Sequence, residues 1–134
     1  MIARIYSDGA SRGNPGPAAA AFIILDKNGK TLAKRSTYIG IATNNKAEYV
    51  AFTHALEEAL RINVNEAKCY SDSELLVKQL KGKYRVKSQN LFPLYVKVKE
   101  MELKFNKICF VHVPRTNLII RKADRMANIT LNRI

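Results

Sequence analysis

The chain has 134 residues, 47% of them hydrophobic, and its 23 Lys and Arg outnumber 11 Asp and Glu to give a formal net charge of +12. This length predicts one domain over residues 1–134 with a single ordinary core. The longest apolar runs, such as 18–25, are too short to span a bilayer, which excludes a membrane protein. No targeting segment is recognisable, so we expect a cytoplasmic location.

The excess of positive charge indicates attraction to a polyanion, and nucleic acid is the commonest one. Such partners are held largely through Lys and Arg contacts to phosphates. A generally solvated basic surface is the alternative that charge alone leaves open.

The first forty residues predict an antiparallel meander of three strands. Residues 2–7 have a strand pattern, and the Gly-, Pro- and Ser-rich stretch after Asp8 is typical of a turn. The run AAAAFIIL at 18–25 predicts a second strand. A hairpin turn at 26–29 then leads into a third strand over 31–40.

The rest of the chain alternates helices and strands. Apolar residues at helical spacing predict helices over 45–61, 73–80, 94–105 and 122–132. Short apolar runs predict strands over 67–71 and 108–113, and a basic irregular loop follows Gly82 over 83–91. The pattern predicts an α/β fold with a five-stranded mixed sheet, three strands antiparallel and then two parallel, flanked by helices on both faces.

Cys69 and Cys109 both fall inside apolar, strand-like runs. Neither has CxxC or Cys/His spacing, which argues against a zinc site. We expect two buried free thiols. A disulfide between neighbouring strands stays open at this stage, although cytosolic disulfides are uncommon.

Four acidic residues stand out in this basic chain because of where they fall. Asp8, Asp72 and Asp124 end a predicted strand or begin a predicted helix, and Glu48 lies on the apolar stripe of the first predicted helix. Ordinary explanations exist: Asp8 initiates a turn, and Glu48 completes a capping box. Asp72 and Asp124 complement helix dipoles. Their joint placement favours a shared site, because α/β proteins gather active sites at the carboxyl ends of strands.

A carboxylate cluster on a basic protein suits metal-dependent cleavage of phosphodiesters. That reaction needs an activated water, a stabilised leaving oxygen and neutralised phosphate charge, and two Mg²⁺ ions about 4 Å apart supply all three. Mg²⁺ takes oxygen ligands and keeps several waters, so a few carboxylates suffice. We therefore expect a Mg²⁺ site, with Mn²⁺ as the alternative ion.

Four ordered motifs resemble type 1 ribonuclease H, the family that cuts the RNA strand of RNA/DNA hybrids. They are YSDGASRGNPGP at 6–17, TNNKAEYVA at 43–51, YSDSELLVKQL at 70–80, and HVPR with KADRMAN at 112–115 and 122–128. They span nearly the whole chain in the family's order. The resemblance implies a ribonuclease H-like fold of the handle-less, archaeal kind. It also implies an endoribonuclease that leaves 5′-phosphate and 3′-hydroxyl ends.

The resemblance also implies the metal ligands. The family's metal-binding carboxylates fall on Asp8, Glu48, Asp72 and Asp124. With substrate bound, these four would hold two ions.

Two further segments match the family's substrate-binding residues. One lies along the RNA strand and contacts 2′-hydroxyls, and it corresponds to Gly9, Ser11, Gly13 and Asn14. The other is a turn at a helix N-terminus, and it corresponds to Thr43, Asn44 and Asn45. Asn14 and Thr43 match residues that hold a phosphate of the DNA strand. Plain capping and turn chemistry is the alternative for all of them.

The chain departs from the bacterial family pattern where a loop histidine assists proton transfer or product release. No histidine lies between Pro114 and Asp124, and His112 falls in a predicted strand. Arg115 is the candidate replacement, because its guanidinium can hold a phosphate although it cannot act as a base. The apolar residues 118–120 make this predicted loop unusual, and the sequence offers no reason for them.

The chain also lacks the basic handle, a substrate-binding helix of some bacterial members. The segment after Leu80 predicts a short loop instead. Four of its cations favour an electrostatic track for a strand backbone: Lys81, Lys83, Arg85 and Lys87. A solvated lysine-rich loop is the alternative.

The sequence therefore predicts a monomeric, metal-dependent endoribonuclease whose partner is an RNA/DNA hybrid, with double-stranded RNA open as a second substrate. A non-catalytic hybrid- or RNA-binding module is a rival, but a binder gains nothing from carboxylates that face a polyanion. A nuclease or strand-transfer enzyme of the same superfold is a third interpretation. Such enzymes share the carboxylates but not the TNNKAEY turn.

Overall fold

The computed structural model describes residues 1–134 and contains five strands and four helices. In chain order they are β1 (Ile2–Ser11), β2 (Gly16–Asp26), β3 (Thr31–Ala42), α1 (Asn44–Arg61), β4 (Glu66–Ser71), α2 (Glu74–Leu80), α3 (Phe92–Glu102), β5 (Lys107–His112) and α4 (Leu118–Asn132). No helix of the chain combines the length and the apolar character that crossing a membrane requires.

The sheet confirms the predicted fold class. Its strand order is β3-β2-β1-β4-β5. The first three strands pair antiparallel, while β1, β4 and β5 run parallel to one another. Parallel neighbours need crossover connections, which α1 supplies before β4 and α2 and α3 supply before β5. The carboxyl ends of β1, β4 and β5 therefore lie at one edge of the sheet.

Strand β2 reads as an unbroken apolar run because both of its faces are covered. Phe22 and Ile24 belong to the large core cluster that contains the buried face of α1. Ile23 and Leu25 belong to a second cluster beneath α4. Burying one such side chain is worth about 1.5–3 kcal/mol. Packing on the sheet thus stabilises helices on both faces, as predicted.

Small side chains bring α4 close to the sheet. Ala19 and Ala21 of β2 and Ala123 and Ala127 of α4 are all fully buried. With no side chain longer than a methyl group at these positions, the helix backbone can lie near the strands. Asp124 follows one of these alanines, so this packing also sets its height above the sheet.

Helix α4 begins four residues before its predicted start, and the expectation of an apolar loop is wrong. Asn117 is the N-cap, and its Oδ1 accepts hydrogen bonds from the N–H groups of Ile119 and Ile120, both at 3.0 Å. Ile120 is 1% exposed in the cluster beneath α4. The apolar residues that the sequence left unexplained are thus the first turn of a helix.

Strand β1 also extends beyond its predicted end. Asp8 pairs with Ala21, and Gly9 pairs with Ala20. The interpretation of Asp8 as a turn initiator is therefore wrong, because the residue lies inside the central strand. Residues between Leu80 and Phe92 form neither helix nor strand, which confirms the predicted loop over 83–91.

The two cysteines are free and differ in exposure. Cys69 of β4 is 1% exposed. Cys109 of β5 is exposed, so the prediction of a buried thiol is wrong for this residue. β5 is an edge strand, and one of its faces is left partly open.

Candidate active site

Three of the four predicted carboxylates meet at the edge of the sheet. Asp8 comes from β1, Glu48 from α1, and Asp72 from the residue after β4. One carboxylate oxygen from each lies within 4.8 Å of the other two. They line a cavity of about 710 Å³, of whose 15 lining residues only 2 are hydrophobic. The cavity therefore suits a charged or hydrated ligand.

The pleat of β1 directs Asp8 towards α4. Side chains alternate between the faces of a strand, and Tyr6 packs in the cluster beneath α4. Asp8, two residues further on, faces the same side and is 5% exposed. Asp124 of α4 lines the same cavity.

Gly9 allows β1 to touch the backbone of α1. A Cβ at this position would lie 2.3 Å from the carbonyl carbon of Ala47 and 2.4 Å from the nitrogen of Glu48. The contact lets the N–H of Gly9 donate to Oε1 of Glu48 at 3.0 Å. The sequence predicted close approach of this glycine to a ligand. The structure shows a further reason for glycine at this position, namely its close approach to a helix.

Glu48 lies in the second turn of α1 and takes no part in capping. The N-cap is Thr43, whose Oγ1 accepts from the N–H of Lys46 at 3.2 Å. The capping-box interpretation of Glu48 is therefore wrong. Its Oε2 is buried and has no hydrogen-bond partner. A buried carboxylate oxygen without a donor is costly unless a cation binds it.

Burial raises the pKa of all three clustered carboxyls. For Asp8, burial is the largest cause, and the neighbouring charge of Glu48 raises its pKa further. Burial also raises the pKa of Glu48, although the adjacent Asp8 carboxyl and the N–H of Gly9 oppose the rise. The pKa of Asp72 rises through burial and is held down by Arg115. The cluster thus resists full ionisation, and a bound cation would reverse that preference.

Asp124 stands apart from the other three carboxylates. It lies in the second turn of α4 and is exposed, whereas the sequence predicted the first turn of the helix. Its side chain lines the cavity but is not one of the group within 4.8 Å.

The structure brings Arg115 to the carboxylates and leaves His112 outside. Arg115 lies between β5 and α4, with Nε 3.9 Å from Oδ2 of Asp72. Its side chain is 93% exposed, so it can move. His112 is the last residue of β5, as predicted for a strand residue, and does not line the cavity.

The two predicted substrate segments, residues 9–14 and 43–45, are hydrogen-bonded to each other and are called the clasped segments below. The N–H of Ser11 donates to Oδ1 of Asn44, and the N–H of Asn44 donates to Oδ1 of Asn14, both at 3.1 Å. Ser11 Oγ also donates to the carbonyl of Ala42 at 2.7 Å. Gly13 takes a φ of +116°, which favours glycine. These residues therefore have structural roles, and the amide nitrogens of Asn14 and Asn44 stay free.

Asn45 differs from its neighbours because its side chain makes no hydrogen bond within the protein. It lines the carboxylate cavity and also a second cavity of about 560 Å³. The second cavity lies between the clasped segments and the loop after α2. Its polar lining residues are Asn14, Thr43, Asn45, Lys46, Ser88 and Asn90.

The predicted basic track does not reach either cavity. All four of its cations are exposed and lack ion pairs: Lys81, Lys83, Arg85 and Lys87. Lys78, just before them, is engaged by Glu74 at 2.6 Å. The structure therefore places these four cations on an outer loop, away from the carboxylates.

Sequence reasoning missed several residues that line the carboxylate cavity. They are Ser73, Thr116, Arg121 and Asn128. Arg121 and Asn128 lie three residues before and four after Asp124, which is the spacing of one helix face. A helix predicted to begin at the Asn117 cap would have placed both residues on the same face as Asp124.

A mixed sheet of this order, with carboxylates from β1, α1, β4 and α4 at one edge, defines the ribonuclease H-like class of proteins. A family model described as Reverse transcriptase-like matches residues 6–130. The crystal structure of RNase H1 from the halophilic archaeon Halobacterium salinarum superimposes with a TM-score of 0.96 at 36% identity, covering 100% of both chains. The chain therefore belongs to the type 1 ribonuclease H family.

Other relatives agree with this assignment. The crystal structure of LC11-RNase H1 in complex with an RNA/DNA hybrid has a TM-score of 0.92 at 37% identity, over 98% of this chain and 97% of that one. The Halobacterium salinarum ribonuclease HI sequence is 40% identical over 95% of this chain, which spans 63% of that protein. The bifunctional protein Rv2228c of Mycobacterium tuberculosis is 39% identical over 92% of this chain, which spans 34% of it. The chain thus covers less than two thirds of these two sequence relatives.

Gly9→Ala should lower the free energy of unfolding by about 1–3 kcal/mol, the usual cost of overpacking. The added methyl group would meet backbone atoms of α1 that cannot rotate away. Urea unfolding measures the effect. Glu100→Gln, an exposed change on α3, is the control and should leave the free energy of unfolding within about 0.5 kcal/mol of the wild type. Equal losses in the two variants would contradict a specific contact between β1 and α1.

Asp8→Asn should stabilise the metal-free protein by about 1–2 kcal/mol at about pH 8, and by less at about pH 5. The folded pKa of Asp8 is raised, so its contribution to stability is complete below the unfolded pKa and is lost as pH rises through the folded pKa. Urea unfolding in EDTA tests this. Glu100→Gln, which removes an exposed carboxylate elsewhere, should show no such pH-dependent gain. A destabilised Asp8→Asn at both pH values would contradict repulsion in the cluster.

Proposed function

We propose that the protein is a metal-dependent endoribonuclease that hydrolyses the RNA strand of RNA/DNA hybrids and leaves 5′-phosphate and 3′-hydroxyl ends. One observation carries the proposal: Asp8, Glu48 and Asp72 lie within 4.8 Å of one another, in a cavity that Asp124 also lines. A protein of net charge +12 that only bound nucleic acid would lose affinity through such a cluster. The relative LC11-RNase H1, crystallised with an RNA/DNA hybrid, supports the substrate class.

The residues present fit Mg²⁺ or Mn²⁺. All four donors are carboxylates, the ligands that hard divalent cations take, and Oε2 of Glu48 is buried without a partner. Asp8, Glu48, Asp72 and Asp124 would hold two ions when substrate is bound. Such ions activate water, stabilise the leaving oxygen and neutralise phosphate charge.

Gly9 and α1 keep the carboxylates in place for this role. The N–H of Gly9 holds Oε1 of Glu48 and leaves Oε2 buried without a hydrogen-bond partner. Asp8 is fixed by its pairing with Ala21 of β2, and β1 is also paired with β4 as far as Tyr6. The ligands are therefore held before a cation arrives, which lowers the cost of ordering them.

In this proposal, Arg115 is the positively charged side chain that contacts the scissile phosphate. Its guanidinium lies beside Asp72 and is largely exposed, so it can turn from that carboxylate to a phosphate. A planar guanidinium can hold two phosphate oxygens at once. It cannot accept a proton, so its role in this proposal is to stabilise charge on the scissile phosphate in the transition state and to help the 5′-phosphate product dissociate.

The clasped segments are proposed to bind the RNA strand through their free donors. Asn14 and Asn44 use only their carbonyl oxygens within the protein, which leaves both NH₂ groups available. Gly9, Ser11 and Gly13 give this surface its shape. Donors at this site suit 2′-hydroxyls, which distinguish RNA from DNA.

The DNA strand is proposed to follow the second cavity. Thr43 and Asn14 line it at the N-terminus of α1, where partial positive charge favours a phosphate. Asn45 lines both cavities and so can contact either strand. Beyond them, the exposed Lys81, Lys83, Arg85 and Lys87 would attract the backbone through long-range charge.

In this proposal the protein is a single domain that acts as a monomer in the cytoplasm. All four carboxylates come from one chain, so no second subunit is needed to complete the site. Both cysteines are free, which is compatible with a reducing compartment. RNA duplexes also present 2′-hydroxyls, so double-stranded RNA belongs among the substrates that are tested.

Asp72→Asn should abolish cleavage of an end-labelled RNA/DNA hybrid in Mg²⁺ while binding of the hybrid is kept. The change removes one proposed ligand and leaves the basic surface intact. Cleavage is measured on hybrid, double-stranded RNA and double-stranded DNA, and binding by fluorescence anisotropy in EDTA. Glu100→Gln is the control and should cut normally. Products ending in 2′,3′-cyclic phosphate, or normal cleavage by Asp72→Asn, would refute the proposal.

Arg115→Ala should lower kcat by about 10-fold or more while KM changes less, in keeping with the loss of a transition-state contact. Arg115→Lys should restore part of the rate, because an ammonium keeps the charge but not the planar fork. His112→Ala is the matched control and should retain the wild-type kcat. The assignment fails if Arg115→Ala turns over normally and His112→Ala does not.

A further inference from the structure

The carboxylate of Asp124 has one hydrogen-bond donor in the structure, the side-chain amide of Asn128. Nδ2 of Asn128 donates to Oδ1 of Asp124 at 3.3 Å and to its main-chain oxygen at 3.0 Å. The two residues are one helical turn apart on α4, and both line the carboxylate cavity. Both acceptors are oxygens, so the amide must present its nitrogen to them.

A neutral amide suits this position. Asp124 is exposed and lies outside the group of carboxylates held within 4.8 Å, so packing alone does not fix its side chain. A Lys or Arg donor would neutralise the carboxylate and compete with a divalent cation. The amide of Asn128 engages one oxygen and leaves the charge, with Oδ2 free of any donor.

Asn128 is itself held by a residue from another part of the chain. The guanidinium of Arg12 donates to the main-chain oxygen of Asn128 at 3.2 Å and also to Oδ1 of Asn132. Arg12 belongs to the turn between β1 and β2 that carries Gly13 and Asn14. Hydrogen bonds therefore connect that turn, through the last turns of α4, to the carboxylate of Asp124.

We propose that Asn128 is a positioning residue that orients the Asp124 carboxylate for the divalent cation. The inference rests on the proposed function, since that function assigns Asp124 to the metal. Partners that hydrogen-bond to metal ligands fix their orientation, and losing one typically costs about 10–100-fold in metal affinity. Arg12 supports the helix turn from which Asn128 acts.

Asn128→Leu tests the proposal because it keeps the size of the side chain and removes the donor. Mn²⁺ binding to the protein without nucleic acid is measured by electron paramagnetic resonance, and hybrid cleavage is measured over a range of Mg²⁺ concentrations. Both the Mn²⁺ dissociation constant and the Mg²⁺ concentration for half-maximal turnover should rise about 10-fold or more. KM for the hybrid at saturating Mg²⁺ should stay at the wild-type value.

Two comparisons separate positioning from a general loss of structure. Asn106→Leu removes an exposed neutral amide that does not line the cavity and has no link to α4, and it should not change either metal readout. In an Asp124→Asn background, Asn128→Leu should cause no further loss of Mn²⁺ binding, because its effect passes through a carboxylate that is gone.

The proposal is overturned if Asn128→Leu binds Mn²⁺ and responds to Mg²⁺ as the wild type does. It is also overturned if the same loss of Mn²⁺ affinity persists in the Asp124→Asn background. Failure of the proposed function has a different signature, namely no cleavage of the hybrid by the wild type at any Mg²⁺ concentration. The Mn²⁺ measurement would still report on Asn128 in that case.

Discussion

The contact between β1 and the first turns of α1 is the constraint on which the rest of the site depends. Gly9 has no side chain, so the strand backbone reaches the backbone of Ala47 and Glu48 and donates a hydrogen bond to the Glu48 carboxylate. Asp8 precedes Gly9, so the same contact sets the distance between carboxylates from two different elements. β1 cannot shift to relieve it, because the strand is paired with β2 on one side and β4 on the other.

That constraint brings like charges together in a buried place. Burial and the charges of neighbouring carboxylates raise the pKa values of Asp8 and Glu48, and one oxygen of Glu48 has no donor at all. Such an arrangement opposes stability in the absence of a cation and favours cation entry. The excess of Lys and Arg elsewhere in the chain attracts a polyanion over a long range and so offsets the repulsion from this acidic centre.

Helix α4 completes the site by a different kind of interaction. Its alanines pack on the alanines of β2, which fixes the height of the helix above the sheet. Two neutral side chains then set where the helix begins and how its carboxylate is oriented. Asn117 caps the first turn, and Asn128 donates a hydrogen bond to Asp124. The four carboxylates are therefore positioned in two different ways. Asp8, Glu48 and Asp72 are positioned by the packing of α1 against the ends of β1 and β4, and Asp124 is positioned by a hydrogen bond from Asn128 on the same helix face.

The sequence by itself determined the fold class and predicted four carboxylates for one site, three of which the structure brings together, because strand and helix periodicity and short ordered motifs are local properties of the chain. It also predicted Arg115 rather than His112 as the residue near the carboxylates. It failed where the answer depended on contacts between distant segments. The first turn of α4 had the pattern of an apolar loop, because its packing partners on the sheet lie far away in the sequence. The contact of Gly9 with α1 and the exposure of Cys109 on an edge strand were missed for the same reason. Only the tertiary structure decided these points, because burial, close approach and the partners of polar atoms are set by residues far apart in sequence.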